Sequence, residues 1–209
     1  MFQQQTEEVL NFLKEEGILN IGGFGKLRGA NNPTPIGFDY HKLYQPYAAT
    51  FVAQKMADRI FTLASLDEIK IACSVHGNVI AYEVARTLHA PLLMLNYLNG
   101  PYYPKENEKI WFIRDVVETG RGSGRSIEKI VQRENYEINV MCAFDYRMHL
   151  STNVFAGIKT GDGEEKRGGI QIRSLLNINH LAQTEPIVEE WVQANKNLFG
   201  TGNRYIPKK

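Results

Sequence analysis

Between Ile69 and Phe144 short apolar runs alternate with amphipathic stripes, and this rhythm constrains the fold more than any other feature of the chain. Ile69 to Val75 reads as a strand, Ile80, Val84 and Leu88 then recur at helical spacing, and Pro91 to Leu95 reads as a second strand. Ile110 to Ile113 and Ile138 to Phe144 supply two more, with Ile127, Ile130 and Val131 as the stripe of the helix between them. Strand, helix and strand in repetition predict an α/β fold, a central parallel sheet flanked by helices. Ligands of such sheets sit beyond the carboxyl ends of the strands. Function is therefore expected at the turns after Val75, Leu95, Ile113 and Phe144.

Upstream, Thr6 is placed to cap a first helix in which Val9, Leu10, Phe12 and Leu13 share one face and Gly17 is the stop. From Gly22 to Tyr40 the glycines, with Pro33 and Pro35, predict irregular strands and turns that form a small N-terminal hood. Val52, Met56, Ile60 and Leu63 mark a long packing helix between Gln45 and Leu66. Downstream, Thr160 to Gly169 suits an exposed turn between short strands, and Gly169 to Ile172 enters the second of them. Val188, Trp191, Val192 and Leu198 form a last helical stripe after Pro186. With 209 residues the chain suits one core with a small cap. The expected organisation is a single domain, 1–209, with helix and hood in 1–45, the α/β core in 46–180 and a closing helix and tail in 181–209.

Charge and cysteine usage narrow the function classes. The 24 basic and 23 acidic residues leave a net charge of +1, so no nucleic-acid partner is expected. No apolar run approaches the roughly 18 residues of a membrane span, and MFQQQTEEVL is unlike a secretion signal. No membrane partner and a cytoplasmic location are the expectation. Cys73 and Cys142 lie in apolar strand-like segments without a CxxC, which predicts buried thiols and neither a disulfide framework nor a zinc site. His41, His76, His89, His149 and His180 show no HxxH or HExxH spacing, and no serine lies in a G-x-S-x-G elbow.

The stretch from Ile110 to Ser126, IWFIRDVVETGRGSGRS, carries the chemistry. A buried strand leads through Asp115 and two valines into Glu118, Thr119, Gly120, Arg121, Gly122 and Ser123, and then into the helix-like SIEKIV. A turn of this kind presents successive backbone N–H groups and a helix N-terminus to a phosphate monoester. A carboxylate just before it can reach the hydroxyls of the sugar that bears that phosphate. A plain structural corner needs the same glycines, but the ordered series of strand, Asp, apolar pair and Thr-Gly is more specific.

At these residues the chain resembles the type I phosphoribosyltransferases, whose signature is an apolar strand, two acids, two apolar residues and a Thr-rich, Gly-containing loop. The second acid stands here as Asp115, and the first is replaced by Arg114. Within that family the order of elements is most similar to the orotate enzymes. GILNIGGFGKLRGANNPTPIGF is similar to their hood segment, and GGIQIRSLLNINHL to their closing strand and helix.

The resemblance implies transfer of ribose 5-phosphate from phosphoribosyl pyrophosphate to a nucleobase, orotate first, with release of pyrophosphate. It implies a magnesium ion bridged by the substrate, with no metal ligand from the protein, and a homodimer. Asp115 would hold the ribose, Glu118 to Ser123 the 5′-phosphate, and the turn Ser74, Val75, His76, Gly77, Asn78 the pyrophosphate. That turn is equally a strand-to-helix corner in which Ser74 or Asn78 only caps the helix. Lys26 and Arg28 flank the place of a family lysine, Lys105 and Lys109 are the cations of a shortened, Tyr- and Pro-rich catalytic loop, and Arg147 follows the fourth strand as a contact for the base or as a surface residue.

Arg114 opposes unmodified catalysis. A guanidinium in place of a carboxylate removes an acceptor and adds a fixed charge that repels a metal ion. A competing class is accordingly a non-catalytic regulator that binds a phosphoribosyl compound or nucleotide on the same scaffold, and a third is a transferase for another base. Fold alone does not separate them.

Overall fold

The computed structural model describes residues 2–25, 33–75, 77–95, 108–117, 127, 137–146, 158–159, 165–166 and 170–195. Helix α1 (Phe2–Glu15) leads into a two-stranded antiparallel hood, β1 (Leu19–Gly25) and β2 (Thr34–Phe38). A short α2 (Tyr40–Leu43) and the long α3 (Pro46–Phe61) follow. The core then runs β3 (Ile69–Cys73), α4 (Asn78–Leu88), β4 (Leu92–Met94), β5 (Lys109–Val117) and β6 (Glu137–Asp145). After a small antiparallel pair, β7 (Ile158–Lys159) and β8 (Glu165–Lys166), the chain closes with β9 (Ile170–Asn177), α5 (Ile178–Thr184) and α6 (Pro186–Asn195).

Five strands form the central sheet in the order β4-β3-β5-β6-β9, and every pairing within it is parallel. From β3 the chain crosses to β4 on one side, and then returns to lay β5 on the other side of β3. The direction of winding therefore reverses between β3 and β5. In a parallel sheet such a reversal leaves a crevice outside the carboxyl ends of the two strands, because their following connections diverge.

Alternation along the strands builds two cores. Ile69, Ile71, Trp111, Ile113 and Met141 join α1, α3 and α4 in the larger cluster. Ala72, Ile110, Phe112, Val140 and Cys142 face the other way and pack with Ile127 and Ile172. Of the expected helical stripes, Val9, Leu13, Val52, Met56, Ile60, Ile80, Val84 and Val188 are fully buried. Both cysteines are buried thiols and neither is in a disulfide. The hood leans on the carboxyl end of the sheet through Phe38, whose ring centroid lies 6.3 Å from that of Phe144.

Several boundaries differ from expectation. Helix α1 begins at Phe2, so Thr6 is an interior residue and not a cap. Its hydroxyl instead accepts from Arg59 Nη2 at 3.0 Å. Helix α3 ends at Phe61, which leaves Leu63 outside it and 41% exposed. Strand β5 does not stop at Ile113 but continues through Arg114 and Asp115 to Val117, paired with β6 as far as Asp145. Ile130, Val131 and Leu198 lie outside the described residues.

Arg59 ties three elements together. From α3 it donates to the Ser174 carbonyl on β9, and to Thr6 and Gln5 on α1. Burial holds its pKa below the usual arginine value, although the group stays charged. Replacing it with Met keeps the packing of the stem but strands the Ser174 carbonyl. Arg59→Met is expected to lower stability by about 2 kcal/mol, the worth of one hydrogen bond to a charged group, since Thr6 and Gln5 can turn to water. Urea denaturation at neutral pH measures it.

Candidate functional site

The crevice at the reversal point is built from two adjoining pieces of backbone, the β3–α4 turn and the last third of β5. Gly77 is the N-cap of α4 and adopts φ 85° and ψ 7°, the left-handed region open to glycine. The fit is close as well as left-handed. A Cβ at this position would lie 3.1 Å from Asp115 N, 3.2 Å from Arg114 Cα and 3.3 Å from the Ile113 carbonyl oxygen. The turn thus rests directly on the β5 backbone. The N-cap position is taken by Gly77 and not by Ser74 or Asn78. Ser74 is buried, while Val75 and Asn78 are exposed.

Consecutive strand residues point to opposite faces, and this separates Arg114 from Asp115. Arg114 reaches across to β3, where its Nη1 donates to Ser74 Oγ at 3.0 Å. Its Nε is buried without a hydrogen-bond partner. Asp115 is only 4% exposed, and both its oxygens are engaged. Oδ1 accepts from the Val116 N–H at 2.8 Å, and Oδ2 accepts from the Tyr44 hydroxyl at 2.5 Å.

Tyr44 was not legible as a site residue. It is the C-cap of α2, held at a corner between Asp39, whose carboxylate caps that helix through the His41 and Lys42 N–H groups, and Pro46 at the start of α3. Burial, then the negative charge of Asp115 and the hydrogen bond to it, push the phenol pKa well above its ordinary value of 10.0, and a Gly77 N–H directed at the phenol oxygen offsets part of the rise. The hydroxyl is therefore a committed donor. No spacing rule could have found it, because its partner lies 71 residues away.

The other candidates divide. Cys73, at the end of β3, is pushed by burial up to about 11 and stays an unreactive thiol beside Met94 Sδ. Lys109 sits at the start of β5, 3.5 Å from Glu68, at the end of the strand opposite Asp115, and is not a site cation. His76, Glu118, Thr119, Gly120, Arg121, Gly122, Ser123, Lys26, Arg28, Lys105 and Arg147 lie outside the described residues.

A substrate-bridged magnesium ion requires oxygens to accept from its water shell and an environment of negative charge. Here both oxygens of Asp115 already accept hydrogen bonds, and a guanidinium faces the turn beside it. Among the described residues no group of three or more His, Cys, Asp or Glu could hold a metal. Among the described residues, therefore, no side-chain set would ligate a divalent cation directly, and Arg114 adds positive charge beside the turn.

No protein-family model matches the chain, and no curated protein matches it by sequence. Solved structures do. UMP synthase from Leishmania donovani superimposes with a TM-score of 0.62 at 19% identity, over 90% of this chain and 42% of that one. Orotate phosphoribosyltransferase from Aeropyrum pernix gives 0.57 at 17% identity, over 88% of this chain and 98% of that one. The fold is that of the type I phosphoribosyltransferases. Adenine phosphoribosyltransferase from Trypanosoma brucei, in complex with AMP, pyrophosphate and ribose-5-phosphate, gives 0.53 at 14% identity, over 80% of this chain and 79% of that one. The chain spans under half the length of the UMP synthase and nearly all of the A. pernix enzyme. Within the phosphoribosyltransferase fold, the reversal between β3 and β5 is where the described site lies, and no described helix is long and apolar enough to cross a membrane.

Proposed function

We propose that this protein binds phosphoribosyl pyrophosphate and transfers its ribose 5-phosphate to a nucleobase nitrogen, releasing pyrophosphate, with orotate the first candidate base. The observation that carries this reading is the contact of the left-handed Gly77 turn with the backbone of Arg114 and Asp115. It brings together, at one end of the sheet, a helix N-terminus, with the Ser74 hydroxyl and the Arg114 guanidinium on one face of β5 and the Asp115 carboxylate on the other. Backbone N–H groups and a guanidinium suit a diphosphate, and a strand-end carboxylate suits sugar hydroxyls. The T. brucei and A. pernix structures, whose names record adenine and orotate chemistry on the same fold, support the substrate class.

In this scheme Ser74 to Asn78 receive the pyrophosphate, Asp115 orients the ribose, and Glu118 to Ser123 take the 5′-phosphate. No covalent nucleophile is required, since orientation and stabilisation of the departing charge supply the rate. A second reading, a regulator that binds the same ligand without turning it over, is favoured by the engagement of Asp115 with Tyr44.

Calorimetry with phosphoribosyl pyrophosphate, followed by a pyrophosphate-release assay across orotate, uracil, purines and nicotinate, decides between them. Binding with release for one base is the expected result. Binding without release establishes the regulator, and absence of binding removes both.

A further inference from the structure

Arg114 is fixed from two directions, by its backbone under Gly77 and by the hydrogen bond from Nη1 to the buried Ser74 hydroxyl. The side chain is thus held at the base of the β3–α4 turn. A guanidinium carries five N–H donors in a planar fork and never loses its charge at physiological pH. Ser74 takes one of them, and Nε remains unused among the described residues. On the other face of the strand Asp115 accepts from the Tyr44 hydroxyl at one oxygen and from the Val116 amide at the other.

A diphosphate arriving at such a turn needs cationic charge to offset its own. It can bring that charge as a bound divalent ion, or find it in the protein. Here the ion would approach a fixed like charge beside an acid that already accepts two hydrogen bonds, whereas the guanidinium is in place before the ligand arrives and can make charge-assisted hydrogen bonds to phosphate oxygens directly. We infer that the site takes phosphoribosyl diphosphate as the metal-free anion, with Arg114 in the role otherwise served by a divalent cation. This inference rests on the function proposed above and deepens it.

Isothermal calorimetry on the full chain tests it, with phosphoribosyl pyrophosphate, ribose 5-phosphate and pyrophosphate as probes, each in magnesium chloride and in EDTA. The affinity for the two diphosphates in EDTA should lie within about threefold of that in magnesium. Arg114→Gln should weaken both by at least about tenfold, the value of a lost charge-assisted hydrogen bond, and ribose 5-phosphate much less. Arg114→Asp should bind the diphosphates in magnesium and lose them in EDTA. Circular dichroism melts of each variant confirm folding, and should Arg114→Asp fail to fold, the wild-type pair of titrations with Arg114→Gln still decides. Wild-type binding that disappears in EDTA overturns the inference and leaves the proposed function standing. No binding of any probe in either condition overturns both.

Discussion

Gly77→Ala should lower the stability of this protein by roughly 2–5 kcal/mol, as measured by urea or thermal denaturation, and should abolish ligand binding at concentrations where the variant is still folded. Two costs add. The left-handed conformation penalises any Cβ by about 1–2 kcal/mol, and at φ 85° Gly77 lies well inside that region. The added methyl also meets backbone and not flexible side chain: Asp115 N, Arg114 Cα and the Ile113 carbonyl. A backbone in the middle of a five-stranded sheet cannot give way, so crowding of the kind produced by overpacking contributes about 1–3 kcal/mol more. If the turn relaxes instead, it moves off β5 and takes Ser74 away from Arg114. Unchanged stability in Gly77→Ala would contradict the observed contact between turn and strand.

The second large effect concerns Asp115. Asp115→Ala removes the acceptor of two hydrogen bonds in a buried place and is expected to cost about 3 kcal/mol, somewhat under twice the worth of one charge-assisted bond because the half-buried Tyr44 can seek water. Tyr44→Phe should cost less, and the double variant should cost less than the sum of the two. The difference is the coupling energy of the pair.

The same pair fixes an alkaline response. Tyr44 has a folded pKa raised above its unfolded value of 10.0. Below that pH both states keep the proton and the contribution is fully present. As pH rises past about 10 the unfolded chain ionises while the folded one does not, so stability falls. In Tyr44→Phe this decline should be shallower though not absent, because Tyr47 is also raised, chiefly by its hydrogen bond to Glu16. Denaturation midpoints between pH 8 and pH 11 give the comparison, and identical slopes in the two proteins would refute the Tyr44–Asp115 bond.

What could be read from the residues follows from what apolar periodicity encodes. It reports which side of an element is buried, so the β3-to-β6 rhythm, the stripes of α3 and α4 and the two buried thiols were all legible. It does not report hydrogen-bond partners brought together by the fold. Thr6 reads as a cap because a hydroxyl near a helix start usually is one, yet an arginine on α3 claims it. Arg114 and Asp115 read as the start of a turn because charged residues seldom continue a buried strand. The sheet keeps them because each finds a specific partner, Ser74 on one face and Tyr44 on the other. Those partners lie 40 and 71 residues away, a separation that leaves no trace in local spacing.

In the proposed reading, the phenol of Tyr44 matches in chemical kind the hydroxyl that a sugar would offer to Asp115. An ionised carboxylate has lone pairs for about four hydrogen bonds, and two of its acceptor sites are taken here, by the phenol and by the Val116 amide. A docking diol would share the acid with this resident donor or displace it, so the proposed ribose contact would contribute less than at an unengaged carboxylate and more of the grip would fall to the anionic ends of the ligand.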